Sequence, residues 1–151
     1  MRKMWTFIFL LIILSLVMIA PKTNDINFNS GKVEFYLSSY YNPELSFATV
    51  TKNGSGCIIE SDVKFHSQIE DAILNYEGKT FITDGDDKLF EYLKQKLNLK
   101  VDETLSENNN IYGFSTYFDK SIYLSGKKIN TQMLLKDGKI YIGCPILLGS
   151  Y

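Results

Sequence analysis

From Met4 to Ala20 the chain carries no charged side chain, and Thr6 and Ser15 are its only polar residues. As a helix this run would be about 25 Å long at ~1.5 Å per residue, the short end of what spans a bilayer, and apolar on every side. The rest of a 151-residue chain is too small to cover such a helix all round, so the run is read as membrane-inserting and the globular fold must come from the residues after it. Arg2 and Lys3 precede it, which keeps the N-terminus in the cytoplasm and sends Lys22 onward outside. The one cleavage site of the right form places Met18 and Ala20 before the cut and Pro21 after it. Met is large and Pro resists processing, so a retained anchor is expected over a cleaved signal peptide. Residues 1–21 are therefore signal or anchor, 22–31 a linker rich in Asn, Ser and Gly, and 32–151 a single domain.

Ten Tyr and ten Phe, with 45% apolar residues overall, describe a globular and aromatic-rich body. Every basic residue after Lys3 is lysine. Arginine is the side chain that grips phosphate and carboxylate in two-pronged fashion and reads guanine edges. A mildly acidic body without it argues against nucleic-acid or nucleotide recognition.

Period-two segments dominate the body. Val33, Phe35 and Leu37 share one face of a strand, and Phe47 to Thr51 and Cys57 to Val63 flank the turn sequence Asn53-Gly54-Ser55-Gly56 as a hairpin. Ser67-Gln68-Ile69-Glu70 has the form of a capping box, which predicts a helix starting there, striped by Ile69, Ala72, Ile73 and Tyr76 and stopped at Gly78. Lys79 to Thr83 is a short strand. Asp84 to Asp87 then place carboxylates at the start of a second helix, with Leu89, Phe90, Leu93 and Leu97 as its apolar stripe and Asn98 at its end. After Leu99 strands resume, with turns at Asn108 to Asn110, Ser125 to Lys128 and Lys136 to Lys139. Ile129 to Leu135 reads as one strand and Ile140 to Leu147 as the last, where Pro145 implies a sheet edge or a bulge near Gly143. The expected architecture is an α+β domain: an antiparallel sheet ending in a C-terminal meander, two helices on one of its faces, and one N-terminal membrane helix before it.

Residues able to carry chemistry are few. His66 is the single histidine, which excludes metal sites needing two. Cys57 or Cys144 with His66 would give an envelope hydrolase or transferase its nucleophile and base, but packing accounts better for all three because no third, orienting group is recognisable. The two thiols either pair as a disulfide or remain free and buried, and both alternatives stay open. Asp84-Gly85-Asp86-Asp87 lacks the spacing of a helix-loop-helix calcium loop and suits helix capping. Tyr36, Tyr40 and Tyr41 are the candidate partner-binding surface, for a protein or a cell-wall sugar, against the alternative that they fill the interior. No catalytic residue, cofactor or metal is expected, nor any nucleic-acid partner. The membrane enters only through residues 4–20.

Two C-terminal elements stand out: Gly126-Lys127-Lys128-Ile129-Asn130-Thr131-Gln132, and Gly143-Cys144-Pro145-Ile146 with a closing Tyr151. They resemble the end of the YwmB-like proteins of spore-forming low-GC bacteria, with Cys144 where that family has Thr. The likeness covers the C-terminal third. It implies a secreted or membrane-tethered α+β domain of the TATA-box-binding-protein type, without an established activity. The functional expectation is a non-catalytic extracytoplasmic domain, in the envelope or associated with the spore, that binds a protein or cell-wall partner.

Overall fold

The computed structural model describes residues 30–149. The expected membrane segment, Met4 to Ala20, lies outside them, and among the described residues no helix is long and apolar enough to cross a membrane. The elements are β1 (Lys32–Leu37), β2 (Ala48–Asn53), β3 (Gly56–Asp62), a 3-10 turn (Val63–Phe65), α1 (His66–Ala72), β4 (Gly78–Asp84), α2 (Asp87–Lys96), β5 (Lys100–Val101), β6 (Asn110–Phe114), β7 (Ile122–Leu124), β8 (Lys127–Ile129), β9 (Thr131–Lys136) and β10 (Lys139–Cys144). Eight strands form one antiparallel sheet in the order β2-β3-β1-β4-β10-β9-β6-β5, while β7 and β8 make a separate hairpin.

The turn chemistry performs as the residues dictate. Gly54 takes a positive φ between β2 and β3, and Asp137 with Gly138 do so between β9 and β10. Asp86 caps α2 by accepting the Leu89 amide hydrogen at 3.0 Å, and Asn98 leaves the helix with φ 46°. Phe90 and Leu93 of α2 and Leu97 just after it are buried, together with Ile69 of α1 and one face of the sheet: Val33, Phe35, Leu37, Ile59, Phe81, Ile111, Met133, Ile140 and Ile142. Both helices thus share the core on a single sheet face.

Four expectations are corrected. The capping box does not form: Asp62 caps the 3-10 turn instead, accepting from the Lys64 amide at 2.9 Å, so Ser67 lies inside α1. That helix ends at Ala72 and Ile73 is extended, leaving Tyr76 in a loop and Gly78 in β4. The strand expected over Ile129 to Leu135 is interrupted at Asn130, whose side chain is committed to loop carbonyls. The last strand is interior, paired with β4 on one side and β9 on the other. It ends at Cys144, one residue before Pro145, so the missing proline N–H costs the ladder nothing.

Beyond Pro145 the chain folds back over the second sheet face. A Cβ on Gly143 would lie 2.3 Å from the Leu147 nitrogen and 2.4 Å from the Ile146 carbonyl carbon, so only glycine lets the segment lie that close. Gln132, paired with Gly143 in register, accepts from the Leu147 amide at 3.1 Å and donates to Asn110 and the Tyr112 hydroxyl. The two C-terminal sequence elements therefore meet, and what they make together is structure.

Candidate functional site

The residues flagged in the sequence separate into an exposed tip and a buried polar cluster. Tyr40 and Tyr41 follow β1 at the end of the sheet where Leu37, Gly78 and Cys144 also lie. Their backbones are pinned by bonds from Tyr40 N to Ser55 O and from Tyr41 N to the Cys57 sulfur. Tyr40 is 54% exposed, Tyr41 45%, and Leu74, in the loop after α1, 99%. The Tyr41 hydroxyl reaches the Ala72 carbonyl at 3.4 Å, which brings the tyrosines to the end of α1 beside Leu74. Leu148, exposed as well, approaches Gly78 at the same end. Tyr36 does not belong to this surface: it is 6% exposed, points to the other sheet face and bonds the Glu34 carboxylate.

The cluster lies under α1. Lys79 begins the core-facing row of β4 and is buried between Phe35 and Cys144, its neighbours in register on β1 and β10. Its ammonium meets His66 Nε2 at 2.8 Å and Glu70 Oε1 at 2.9 Å, both on α1, and sits 5.7–5.9 Å from the ring centres of Phe35, Tyr76 and Phe81. Acceptors and ring faces thus satisfy the buried ammonium on several sides. His66 lies flat on Phe35, with ring centres 5.7 Å apart, and Glu70 Oε2 is 3.3 Å from its Nε2. Tyr76 donates to Glu70, and the Lys120 ammonium covers the Tyr76 ring at 3.6 Å while bonding its carbonyl.

Burial raises the Glu70 carboxyl, but the Tyr76 hydroxyl and Lys79 outweigh it and hold the group below its ordinary value. Burial, and then the bond to Glu70, push the Tyr76 hydroxyl far above its own. The Cys144 thiol is likewise pushed well up by burial, which Lys79 only partly offsets, so the sulfur stays protonated.

The disulfide alternative fails. Both cysteines are free, and β1 and β4 separate β3 from β10, placing the two Cα atoms about 14 Å apart at ~4.8 Å per strand, twice what a disulfide spans. Cys57 instead donates to Tyr41 O at 3.3 Å and braces the tip loop. Asp86 serves as a cap and Asp84 meets Lys139 at 3.1 Å, so the acidic run is used by helix and sheet. Among the described residues no group of three or more His, Cys, Asp and Glu could hold a metal.

Lys79, Glu70 and Leu74 were missed in the sequence. For Lys79 a signal existed: it has the same parity as Phe81, so a strand that buries Phe81 also buries Lys79. No family model, curated protein or solved structure matches the chain.

Proposed function

We propose that the protein is a non-catalytic, extracytoplasmic binding domain, held at the membrane by residues 4–20, which takes a protein or cell-wall partner on the tip formed by Tyr40, Tyr41 and Leu74. The observation that carries this reading is the gathering of exposed large apolar side chains at one end of the sheet, with a leucine wholly in solvent among them. Tyrosines that present a flat ring and a hydroxyl at little entropic cost suit either kind of partner. The chain enters the sheet at Lys32, and the tip lies at the far end of β1, about 20 Å away at ~3.3 Å per residue, at the opposite end of the sheet from that entry. The likeness to the YwmB-like proteins accords with a tethered α+β domain. The competing Cys and His enzyme is disfavoured because His66 Nε2 is engaged by Lys79 and the Cys144 thiol is held protonated. On the second sheet face Lys32 pairs with Glu60 and Lys139 with Asp84, which works against a basic strip for nucleic acid.

The test is a pull-down from envelope extracts with the full chain as bait. Combined Tyr40→Ser, Tyr41→Ser and Leu74→Ser substitutions should reduce recovery of the partner by about tenfold or more. Cys144→Thr should leave it unchanged, with a stability change of about 1 kcal/mol. Recovery that survives the tip substitutions, or that disappears with a folded Cys144→Thr chain, overturns the reading. For the anchor, mass spectrometry of the protein from membranes should find Met1 to Ala20 attached, and a mature N-terminus after Ala20 or Pro21 would refute retention.

A further inference from the structure

We propose that His66, Lys79 and Glu70 form a proton-operated latch that fixes α1 to the sheet at neutral pH and loosens it when His66 is protonated. An ammonium has only protons to offer, so the 2.8 Å contact between Lys79 and His66 Nε2 requires a lone pair on that nitrogen, and the ring proton of the neutral imidazole sits on Nδ1. The same Nε2 faces Glu70 Oε2 at 3.3 Å, a contact that becomes a hydrogen bond only when Nε2 is protonated. One nitrogen cannot serve both partners. Above the titration of His66 it accepts from Lys79, and below it donates to Glu70 while Lys79 faces a second cation.

The surroundings leave that conflict little room. Phe35 stacks on the imidazole and the Phe81 ring centre is 5.1 Å from it, so the ring is walled on the sheet side. Lys79 projects from β4, Cys144 stands beside it on β10, and Tyr76 and Lys120 close the cluster from two loops. Glu77 and Asp119 lie further out, acting on Lys120 and Tyr76. A proton on His66 thus adds a positive charge to a partly buried group that already contains Lys79 and Lys120, with Oε1 of Glu70 taken by Lys79 and Tyr76 and only Oε2 left facing the ring. The element free to yield is α1, a helix of 7 residues that carries both His66 and Glu70.

The chain has a single histidine, the side-chain type that ordinarily titrates between about pH 5 and 8, so the comparison is made between pH 7.5 and 5.5. Glu70 contributes no change there. Its folded-state value is depressed, so its stabilisation is complete above its ordinary 4.5 and is lost only as pH falls through the lower folded value. Because Ala72 holds Tyr41 and Leu74 follows at once, loosening α1 would alter the tip. This consequence rests on the tip being the binding surface, whereas the latch does not.

Hydrogen exchange of the full chain in detergent micelles, referred to intrinsic rates at each pH, tests it without any partner. Protection of the α1 amides, including that of Ile73 bonded to Ile69 O, should fall by up to about tenfold from pH 7.5 to 5.5 in the native chain. His66→Gln keeps an acceptor for Lys79 but does not titrate, and its α1 protection should be the same at both pH values. Lys79→Met removes the opposing cation, so acid should preserve or raise protection as the His66–Glu70 pair forms unopposed. Equal protection at both pH values in the native chain, or an acid loss in either variant matching the native one, overturns the latch.

Discussion

Asn130→Ala should lower the unfolding free energy by about 4 kcal/mol, read as a fall in the urea midpoint at an unchanged slope. The Asn130 side chain is fully buried and every polar atom on it is used. Its oxygen accepts from the Ser115 amide at 2.7 Å and the Thr131 hydroxyl at 3.0 Å, and its nitrogen donates to Ser115 O at 2.6 Å and Phe118 O at 2.7 Å. Ser115 in turn donates from its own hydroxyl to the Leu97 carbonyl at 2.6 Å. One carboxamide therefore bolts the loop after β6 to the start of β9 and, through Ser115, to the end of α2. Alanine strands three backbone groups without water, and each carries the cost of an unmade bond. Asn130→Asp keeps the shape but turns a second acceptor toward two carbonyls, so it should be at least as damaging at neutral pH. A loss below about 1 kcal/mol in both variants would show that the loop is not held this way.

Phe35→Ala should cost a similar amount, about 4 kcal/mol, for another reason. Its ring is fully buried, lies flat on His66 and meets Tyr76 edge-on, with ring centres 5.2 Å apart. Removing it opens a cavity directly under the Lys79 ammonium and takes away one of the faces on which that charge rests. Phe35→Leu refills most of the volume and should cost nearer 1–2 kcal/mol. Thermal unfolding of the three chains orders them, and an alanine variant no less stable than the leucine one would contradict the packing described.

Local chemistry was legible along most of the chain. The Asp86 cap, the stripe of Phe90, Leu93 and Leu97, and the turns at Gly54 and at Asp137-Gly138 are decided by residues within a few positions of one another, and they stand where periodicity placed them. What failed depended on distant partners. Glu70 was assigned to its own helix end, but Lys79 and Tyr76 offer it a buried ammonium and a hydroxyl, which are worth more than a cap. Pro145 reads as lying inside the last strand, at an edge or a bulge, whereas β10 stops before it and is interior, because strand order depends on which segments β10 finds on either side. Tyr36, Tyr40 and Tyr41 are alike in composition, and only the end of β1 between them separates the inward ring from the two outward ones. The two C-terminal elements are explained by packing: Asn130 and Gln132 are anchors, and Gly143 is a gap filled by backbone.

The interior place of β10 has a consequence for how the molecule is assembled. The sheet consists of two halves, β2-β3-β1-β4 and β9-β6-β5, and β10 is the strand that joins them. A growing chain therefore carries two unfinished sheets, with the edges of β4 and β9 bare, until Lys139 to Cys144 emerges. The β4–β10 pairing spans such a separation that it is slow to form and leaves the β4 edge open to other chains meanwhile, whereas β9 and β10 are neighbours in sequence. The same delay keeps the polypeptide threadable. If the body is carried across a membrane from its N-terminal side, it cannot lock into its final form before almost all of it has passed.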